Sequence, residues 1–477
     1  MDKRWGAIFL PSLLLVLWGL GRIGPWASIR SALAEARPLA GGQSYYVAPN
    51  GDDGDPGTET RPWRSIQKAA DTLVAGDTVY IKAGTYREAV VPRNSGSAGQ
   101  YITYAAYPGD TVILDGSGIV LDEWAGLITL FDKAYIRITG LTIQNAGPSR
   151  NNAGILLDGS RHILIERNRT YNTASSGIGV WNGEDILIDG NEVELACNDG
   201  EQECITVAGT RGFEVRNNHV HHGGSSTRGG EGIDLKDGSS EGLVYGNHVH
   251  DMQRVGIYVD AWDKYTHHIA VYNNIVHDVA ASGMQLASEM GGRLENIQIY
   301  NNVAYHNKWV GIAVSACCPE AEAHPMKEIA IINNTLYNNG WESWGGGIGV
   351  EENADIQALT IRNNICSRNL YFQIAVDPAV PSEQVTVDHN LIDGYRGTEG
   401  EIYGADHVEG DPAFVNPTAA DFHLRAGSPA IDKGSALKAP ADDYDGDVRP
   451  QGGGHDIGAD EYTTGGLALY LPLLLKR

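Results

Sequence analysis

The chain runs to 477 residues and carries 60 Gly, 19 Pro and 22 Tyr, with 42% apolar and 20% charged residues. That composition excludes intrinsic disorder and a coiled coil, and the lack of a Gly-X-Y period excludes collagen. Acidic residues outnumber basic ones by 60 to 35, which argues against nucleic acid or an anionic membrane as a partner.

At the N-terminus Lys3 and Arg4 precede an apolar run from Ile8 to Leu20, and Ala32-Leu33-Ala34 follows. This reads as a secretory signal peptide over 1–34, with 35–44 as a linker, and the expected location is secreted or cell-surface. The apolar run is short and interrupted by Pro11 and Gly19, so no stable membrane span is expected. Five cysteines are too few for a disulfide scaffold. Cys197 and Cys204 bracket a short loop and form a candidate pair, and no His/Cys spacing along the chain has the form of a zinc site.

From about residue 150 the chain repeats itself. A Gly-Ile-x-Val-like strand returns at Gly154, Gly177, Cys204, Gly232, Gly256, Gly283, Gly311 and Gly347. A second apolar strand follows each and ends in Asn: Asn168, Asn191, Asn218, Asn247, Asn274, Asn302, Asn334 and Asn364. Period-2 alternation turns one side of each strand inward, and a coil of this length cannot bury that side alone, so neighbouring coils must stack. The fold class is therefore all-β, a parallel β-helix in which each coil adds about 4.8 Å. The recurring Asn suits a turn where one amide hydrogen-bonds the next along the stack.

The opening, Tyr45-Tyr-Val-Ala-Pro-Asn-Gly-Asp-Asp-Gly-Asp-Pro-Gly-Thr58, Trp63-Arg-Ser-Ile-Gln-Lys-Ala69 and Gly76-Asp-Thr-Val-Tyr-Ile-Lys-Ala-Gly-Thr-Tyr86, resembles right-handed parallel β-helix proteins of the pectate-lyase-like superfamily. Within it the opening is most similar to family nine pectate lyases and their unassigned relatives. The solenoid is expected over 45–400. Ser65 is placed to cap a short helix whose Ile66, Ala69, Ala70 and Leu73 share one face and would cover the open end. Segments such as Asp411-Pro-Ala-Phe414 and Asp456-Ile-Gly-Ala-Asp-Glu461 resemble the closing part of bacterial β-helix proteins, so 401–462 is expected as a C-terminal cap. Asp442, Asp443, Asp445 and Asp447 read as turn residues, and 463–477 as an apolar and then basic tail.

In the strand register the second and fourth positions after Gly point out of the solenoid. Those pairs are Gly179/Trp181, Thr206/Ala208, Asp234/Lys236, Tyr258/Asp260, Gln285/Ala287 and Ala313/Ser315, with Glu203 and Glu231 just before two of the strands. Polar groups thus gather on the middle coils, as a groove for an extended polymer requires. Equivalent positions on adjacent coils lie about 5 Å apart, which makes Lys236 and Asp260 neighbours and puts Asp234 roughly 8 Å from Asp260.

The resemblance implies a polysaccharide lyase that cleaves uronate-containing glycans by β-elimination. Lys236 would be the base that removes the proton α to the sugar carboxylate, and Glu203, Glu231, Asp234 and Asp237 are candidate ligands for Ca2+. Carboxylates around Lys236 raise its pKa, and an anionic protein repels an anionic polymer; bound Ca2+ relieves both. Two alternatives stand beside this reading. An inverting glycoside hydrolase would use Asp234 and Asp260, whose spacing falls in the range of about 6.5–9.5 Å. A non-catalytic glycan-binding surface solenoid would make Lys236–Asp260 an inter-coil ion pair. Trp181, Tyr258 and Trp262 are candidate sugar platforms, with Gln285 beside them. His221, His250 and His277 share one register position and read as a packed stack, from which His221 and His250 could reach substrate through the adjoining loops. The expected partner is a polysaccharide, bound by a monomer.

Overall fold

The computed structural model describes residues 41–198, 201–224, 229–318, 321–341 and 344–463, so the expected signal peptide and the tail from 464 lie outside the described residues. Each coil contributes three short strands. Ile178–Trp181, Glu184–Asp189 and Glu192–Glu194 form one coil. The next coil pairs with it in parallel throughout, Ile178 on Ile205, Ile186 on Phe213 and Val193 on Val220. Stacking these coils produces three long parallel sheets, of fourteen, thirteen and ten strands among the described residues. Here the sheet containing Glu184–Asp189 is called the first, that containing Glu192–Glu194 the second, and that containing Ile178–Trp181 the third. The protein is an all-β right-handed parallel β-helix, as the repeat requires.

Alternation along each strand decides what enters the lumen. In the third sheet Ile205, Val207, Ile233, Leu235, Ile257 and Val259 join the continuous apolar core, which leaves the residues between them on the outer wall. At the corner between the first and second sheets, the residue before each repeated Asn takes a left-handed conformation, with φ of 52° at Arg167, 65° at Gly190, 54° at Asn217 and 64° at Gly246. The chain reverses there within a single residue, which delivers the following Asn to the interior. Asn168, Asn191, Asn218, Asn247, Asn274, Asn302, Asn334, Asn364 and Asn390 are all buried. The Nδ2 of Asn247 donates to Asn274 Oδ1 (2.9 Å) and to the Val215 carbonyl (2.8 Å), while its Oδ1 accepts from the backbone N–H and the Nδ2 of Asn218, both at 3.0 Å. Both donors and the acceptor of the Asn247 amide are thereby satisfied by the coils above and below. Downstream, Asn307, Asn339 and Asn369 form a shorter ladder of the same kind.

The helix Ile66–Thr72 begins at Ser65, whose Oγ accepts from the Lys68 N–H at 3.2 Å, and it sends Ile66, Ala69, Ala70 and Leu73 into the core beside Val47 and Val79. The segment expected as a cap over 401–462 divides into two parts. Ile402 and Tyr403 pack against the solenoid core. Beyond them Phe414, Phe422, Leu424, Ala430 and Ile457 bury against Val303, Ile365 and Leu391 on the outside of the second sheet. This second part is a strap along the flank, held because the Asn301, Asn333 and Asn363 amides donate to the carbonyls of Asp442 (2.7 Å), Asp456 (2.9 Å) and Ser435 (2.8 Å). Asp443 serves its own turn, accepting the N–H groups of Asp445 (2.9 Å) and Asp447 (2.8 Å). Cys197 and Cys204 are buried free thiols, so the candidate pair is not joined.

Replacing Asn247 by Ala removes one rung and leaves the Asn218 N–H and one Nδ2 hydrogen of Asn218 without acceptors. The expected loss is about 2–4 kcal/mol, from buried groups each costing on the order of 1–3 kcal/mol when unsatisfied. Urea unfolding of the variant measures it.

Candidate functional site

Two outward columns run down the third sheet. Gly179, Thr206, Asp234, Tyr258, Gln285 and Ala313 lie in register along one of them. Trp181, Ala208 and Lys236 align along the other, which resumes as Asp260, Ala287 and Ser315. Between these two stretches the pairing stops at Leu235 on Val259. Loops leaving the second sheet enter this wall from its edge and place Glu203 and Glu231 at the strand entrances, where the Cys204 N–H donates to the Glu231 carbonyl at 2.8 Å.

The wall gathers five carboxylates, Glu203, Glu231, Asp234, Asp260 and Glu289, all nearly buried, with Asp234 2% exposed and Glu289 7%. Lys236 and Arg254 lie among them. Lys236 Nζ lies 2.7 Å from Glu203 Oε1 and 3.8 Å from Asp234 Oδ2, with Gln202 Oε1 at 3.5 Å. Arg254 Nε lies 2.7 Å from Glu231 Oε1. Glu203 Oε2 also accepts from Thr206 Oγ1 at 2.9 Å. The Lys236–Asp260 ion pair of the non-catalytic alternative is not formed. The lysine stem leans instead towards the preceding coil, where the loop brings Glu203 to its ammonium.

Burial disfavours the Lys236 ammonium, but the charges of Glu203, Asp234 and Asp260 outweigh burial and raise its pKa. The carboxylates respond in the complementary sense. Burial, then Asp260 and Glu203, holds Asp234 well above the usual carboxylate range, and burial, then Glu289, does the same to Asp260. Burial and the Glu203 charge push Glu231 up to about 7 against the pull of Arg254. Burial and mutual repulsion thus favour the protonated forms of these carboxyls.

Asp234 Oδ1 and Asp260 Oδ1 are buried without a hydrogen-bond partner. Buried carboxylate oxygens of this kind fit a hard oxygen-preferring cation, and Asp234 and Asp260 are the residues that would hold one. The expected ligands Glu203, Glu231 and Asp237 do not assemble into one cage. Glu203 is committed to Lys236 and Glu231 to Arg254. Asp237 is a left-handed turn residue, φ 53°, in the place held by Asn182 and Gly209 on earlier coils.

The aromatic expectations divide. Tyr258 is no sugar platform: its ring packs with Val255, Ala281 and Ala287, and its hydroxyl donates to Glu289. Trp181 lies over Gly179 and meets Trp124 edge-on at 5.5 Å, while Trp262 is 47% exposed beside the wall. Gln285 occupies the coil after Tyr258, half-buried. His221 and His250 do not reach the wall. They project from the second sheet, stacked at 5.3 Å on each other, with His250 at 5.0 Å from His277, which is the expected packed stack.

Sequence reasoning missed two features. Arg254 balances Glu231 from a loop that follows no register. Further down the same sheet face, Val310, Ala313, Gly349, Trp344, Tyr371 and Phe372 line a pocket of about 370 Å³, its aromatic rim half-exposed. A pair of exposed aromatics, Trp344 and Tyr371, on loops beside that face was the available signal.

Residues 45–199 match the family described as Pel9A-like, right-handed β-helix region, and residues 199–340 match the right-handed β-helix region family. The uncharacterized protein YwoF of Bacillus subtilis (strain 168) is 29% identical over 452 residues, spanning 83% of this chain and 94% of that relative. Pectate lyase PEL9 of Emericella nidulans is 41% identical over 73 residues, 15% of this chain and 18% of that enzyme. The crystal structure of pectate lyase Pel9A superposes with a TM-score of 0.56 at 15% identity, covering 89% of this chain and 98% of that one. The fold is thus a right-handed parallel β-helix, and adjoining stretches of the chain are similar to two right-handed β-helix families.

The raised pKa of Asp260 makes a thermodynamic prediction. A carboxyl with a raised folded-state pKa contributes stability that is present below its unfolded value, near 3.8, and is lost as pH rises through the folded value. In chelator, Asp260→Asn removes that dependence, so the Tm difference (variant minus wild type) grows in the variant's favour between pH 5 and pH 8. Added Ca2+ raises the Tm of the wild type and not of the variant. Scanning calorimetry with and without Ca2+ checks both.

Proposed function

We propose that the protein is an exported polysaccharide lyase that cleaves uronate-containing glycans by β-elimination on the outer wall of the third sheet, with Lys236 as base and Asp234 and Asp260 holding a calcium ion. The observation that carries this reading is the placement of one lysine, 2.7 Å from Glu203 and 3.8 Å from Asp234, beside two buried carboxylate oxygens that lack any partner. Calcium at those oxygens would offset the carboxylate charge around Lys236 and bind the uronate carboxylate, acidifying its α-proton. Glu203 keeps the Lys236 ammonium aimed along the wall, and Arg254 adds positive charge where an anionic polymer would arrive. Trp262 and the Trp344–Tyr371 pocket offer aromatic surface to flanking sugars. Similarity to two pectate lyases supports the reaction class, and the net charge of −25 favours cation-dependent capture of an anionic chain. No helix among the described residues is long and apolar enough to cross a membrane, which is compatible with export.

A second reading draws on the same orphaned oxygens. Asp234 and Asp260 would be the acid and base pair of an inverting hydrolase, the one that keeps its proton serving as acid and the one that gives it up serving as base.

Incubation with uronate polymers, read by the ultraviolet absorbance of unsaturated chain ends, separates these readings. Unsaturated ends that vanish with chelator are expected, with a rate that climbs on the alkaline side as Lys236 gives up its proton. Lys236→Arg keeps a cation beside Glu203 but holds its proton far more tightly, and is expected to lower turnover about 100-fold or more. New reducing ends without unsaturation would transfer the chemistry to Asp234 and Asp260, and undiminished turnover in Lys236→Arg would remove Lys236 from it.

A further inference from the structure

The second sheet carries its own cluster, on a wall separate from that of Lys236. His219–His221, His248–His250 and Ile275–His277 stack in register, His219 on His248 and His221 on His250 on His277. Val220, Val249 and Val276 between them fill the core, so the flanking histidines all project outward from one surface. Their ring nitrogens converge diagonally: His219 Nε2 lies 2.7 Å from His250 Nε2, and His248 Nε2 lies 2.8 Å from His277 Nε2. One nitrogen from each of His219, His248 and His250 falls within 4.8 Å of the other two.

Two independent features point to a ligand there. Carboxylates fix the tautomers: Asp251 Oδ2 lies 2.7 Å from His250 Nδ1, and Asp278 Oδ2 lies 2.7 Å from His277 Nδ1. Each carboxylate accepts an Nδ1–H, which leaves Nε2 as the acceptor nitrogen of its ring, His250 accepting from His219 and His277 from His248. In addition His219 Nδ1 is buried without a hydrogen bond, and an unsatisfied buried nitrogen marks the place of an ion or a water. Burial, reinforced by the neighbouring imidazoles, pushes His219 down to about 4 and His248 down to about 3. Neutral rings are favoured, and an incoming ion takes the place of the Nε2–H···Nε2 hydrogen bond that His219 and His250 share.

We propose that His219, His248 and His250 form a binding site for one zinc-class divalent transition-metal ion, with Asp251 orienting His250 behind it. Imidazole donors select such ions and not calcium, so this site and the carboxylate wall discriminate by ligand chemistry. A tetrahedral ion with bonds of about 2.0–2.1 Å separates its nitrogens by about 3.3 Å, so the contact between His219 and His250 opens by roughly 0.6 Å on binding. The ligands come from two adjacent coils, and the ion therefore ties those coils together. No ligand spacing along the chain reveals the site, because stacking and not sequence proximity assembles it.

Tag-free full chain, stripped of metal with a chelator, is titrated with Zn2+ in competition with a chromophoric indicator of micromolar affinity. Uptake of one ion per chain is expected, undiminished by a hundredfold excess of Ca2+. His248→Gln and His250→Gln should each weaken uptake at least tenfold while circular dichroism confirms folding. Co2+ added to the unsubstituted protein reads the site without any variant, and intense tetrahedral visible bands are expected. No stoichiometric Zn2+ uptake, displacement by Ca2+, a weak octahedral Co2+ spectrum, or uptake indifferent to both substitutions would overturn the assignment.

Discussion

The buried asparagine ladder is the constraint on which the rest of the molecule depends. Each rung is bonded to the coils on both sides, as Asn247 is to Asn218, Asn274 and Val215. A coil that slipped by one residue would orphan several buried amides at once and turn its apolar set to solvent. Register is thus fixed at one corner and transmitted to all three sheets. Any property of an outer residue then depends on which residues the neighbouring coils present at the same place.

The two chemically distinct walls are consequences of that fixed register. On the third sheet it places Asp234 and Lys236 beside Tyr258 and Asp260, and the loops add Glu203, Glu231 and Glu289. Gathering so many carboxylates near so few cations in a nearly buried setting disfavours folding, since each must find a partner, keep a proton or take a cation. Stacked aromatics, strap and ladder offset that cost. On the second sheet the same register converts the pattern His-Val-His, read on two successive coils, into a nitrogen-lined surface. Neither wall has any meaning within a single coil.

Much of this was legible in the sequence because one residue per coil repeats. The strands, the inward set and the Asn turn all followed from the positions of Gly177, Asn191 and their successors. The outward columns followed as well, which is why Asp234, Lys236 and Asp260 were found on one wall. What failed was everything that register does not control. Lys236 pairs with Glu203 and not with Asp260 because a flexible stem follows the nearest charge, and Glu203 stands at a loop exit whose path no periodicity encodes. Tyr258 occupies an outward position yet is covered by Val255 and Ala281 from adjoining loops. His221 and His250 stand on the second sheet, away from Lys236, and sequence proximity to a loop does not say how far its residues reach. The C-terminal strap has no repeat at all, and its contacts reach back more than a hundred residues to Asn301 and Asn333.

The proposed lyase activity requires an acidic polysaccharide to lie along the third-sheet wall. Hydrogen–deuterium exchange of the intact protein with a uronate oligosaccharide and Ca2+ tests this most directly. Slowed exchange confined to peptides spanning 201–208, 231–237 and 257–262, with the second-sheet strands unchanged, is the predicted result. Protection confined to the histidine wall or the C-terminal strap, or exchange identical with and without the oligosaccharide, would contradict it.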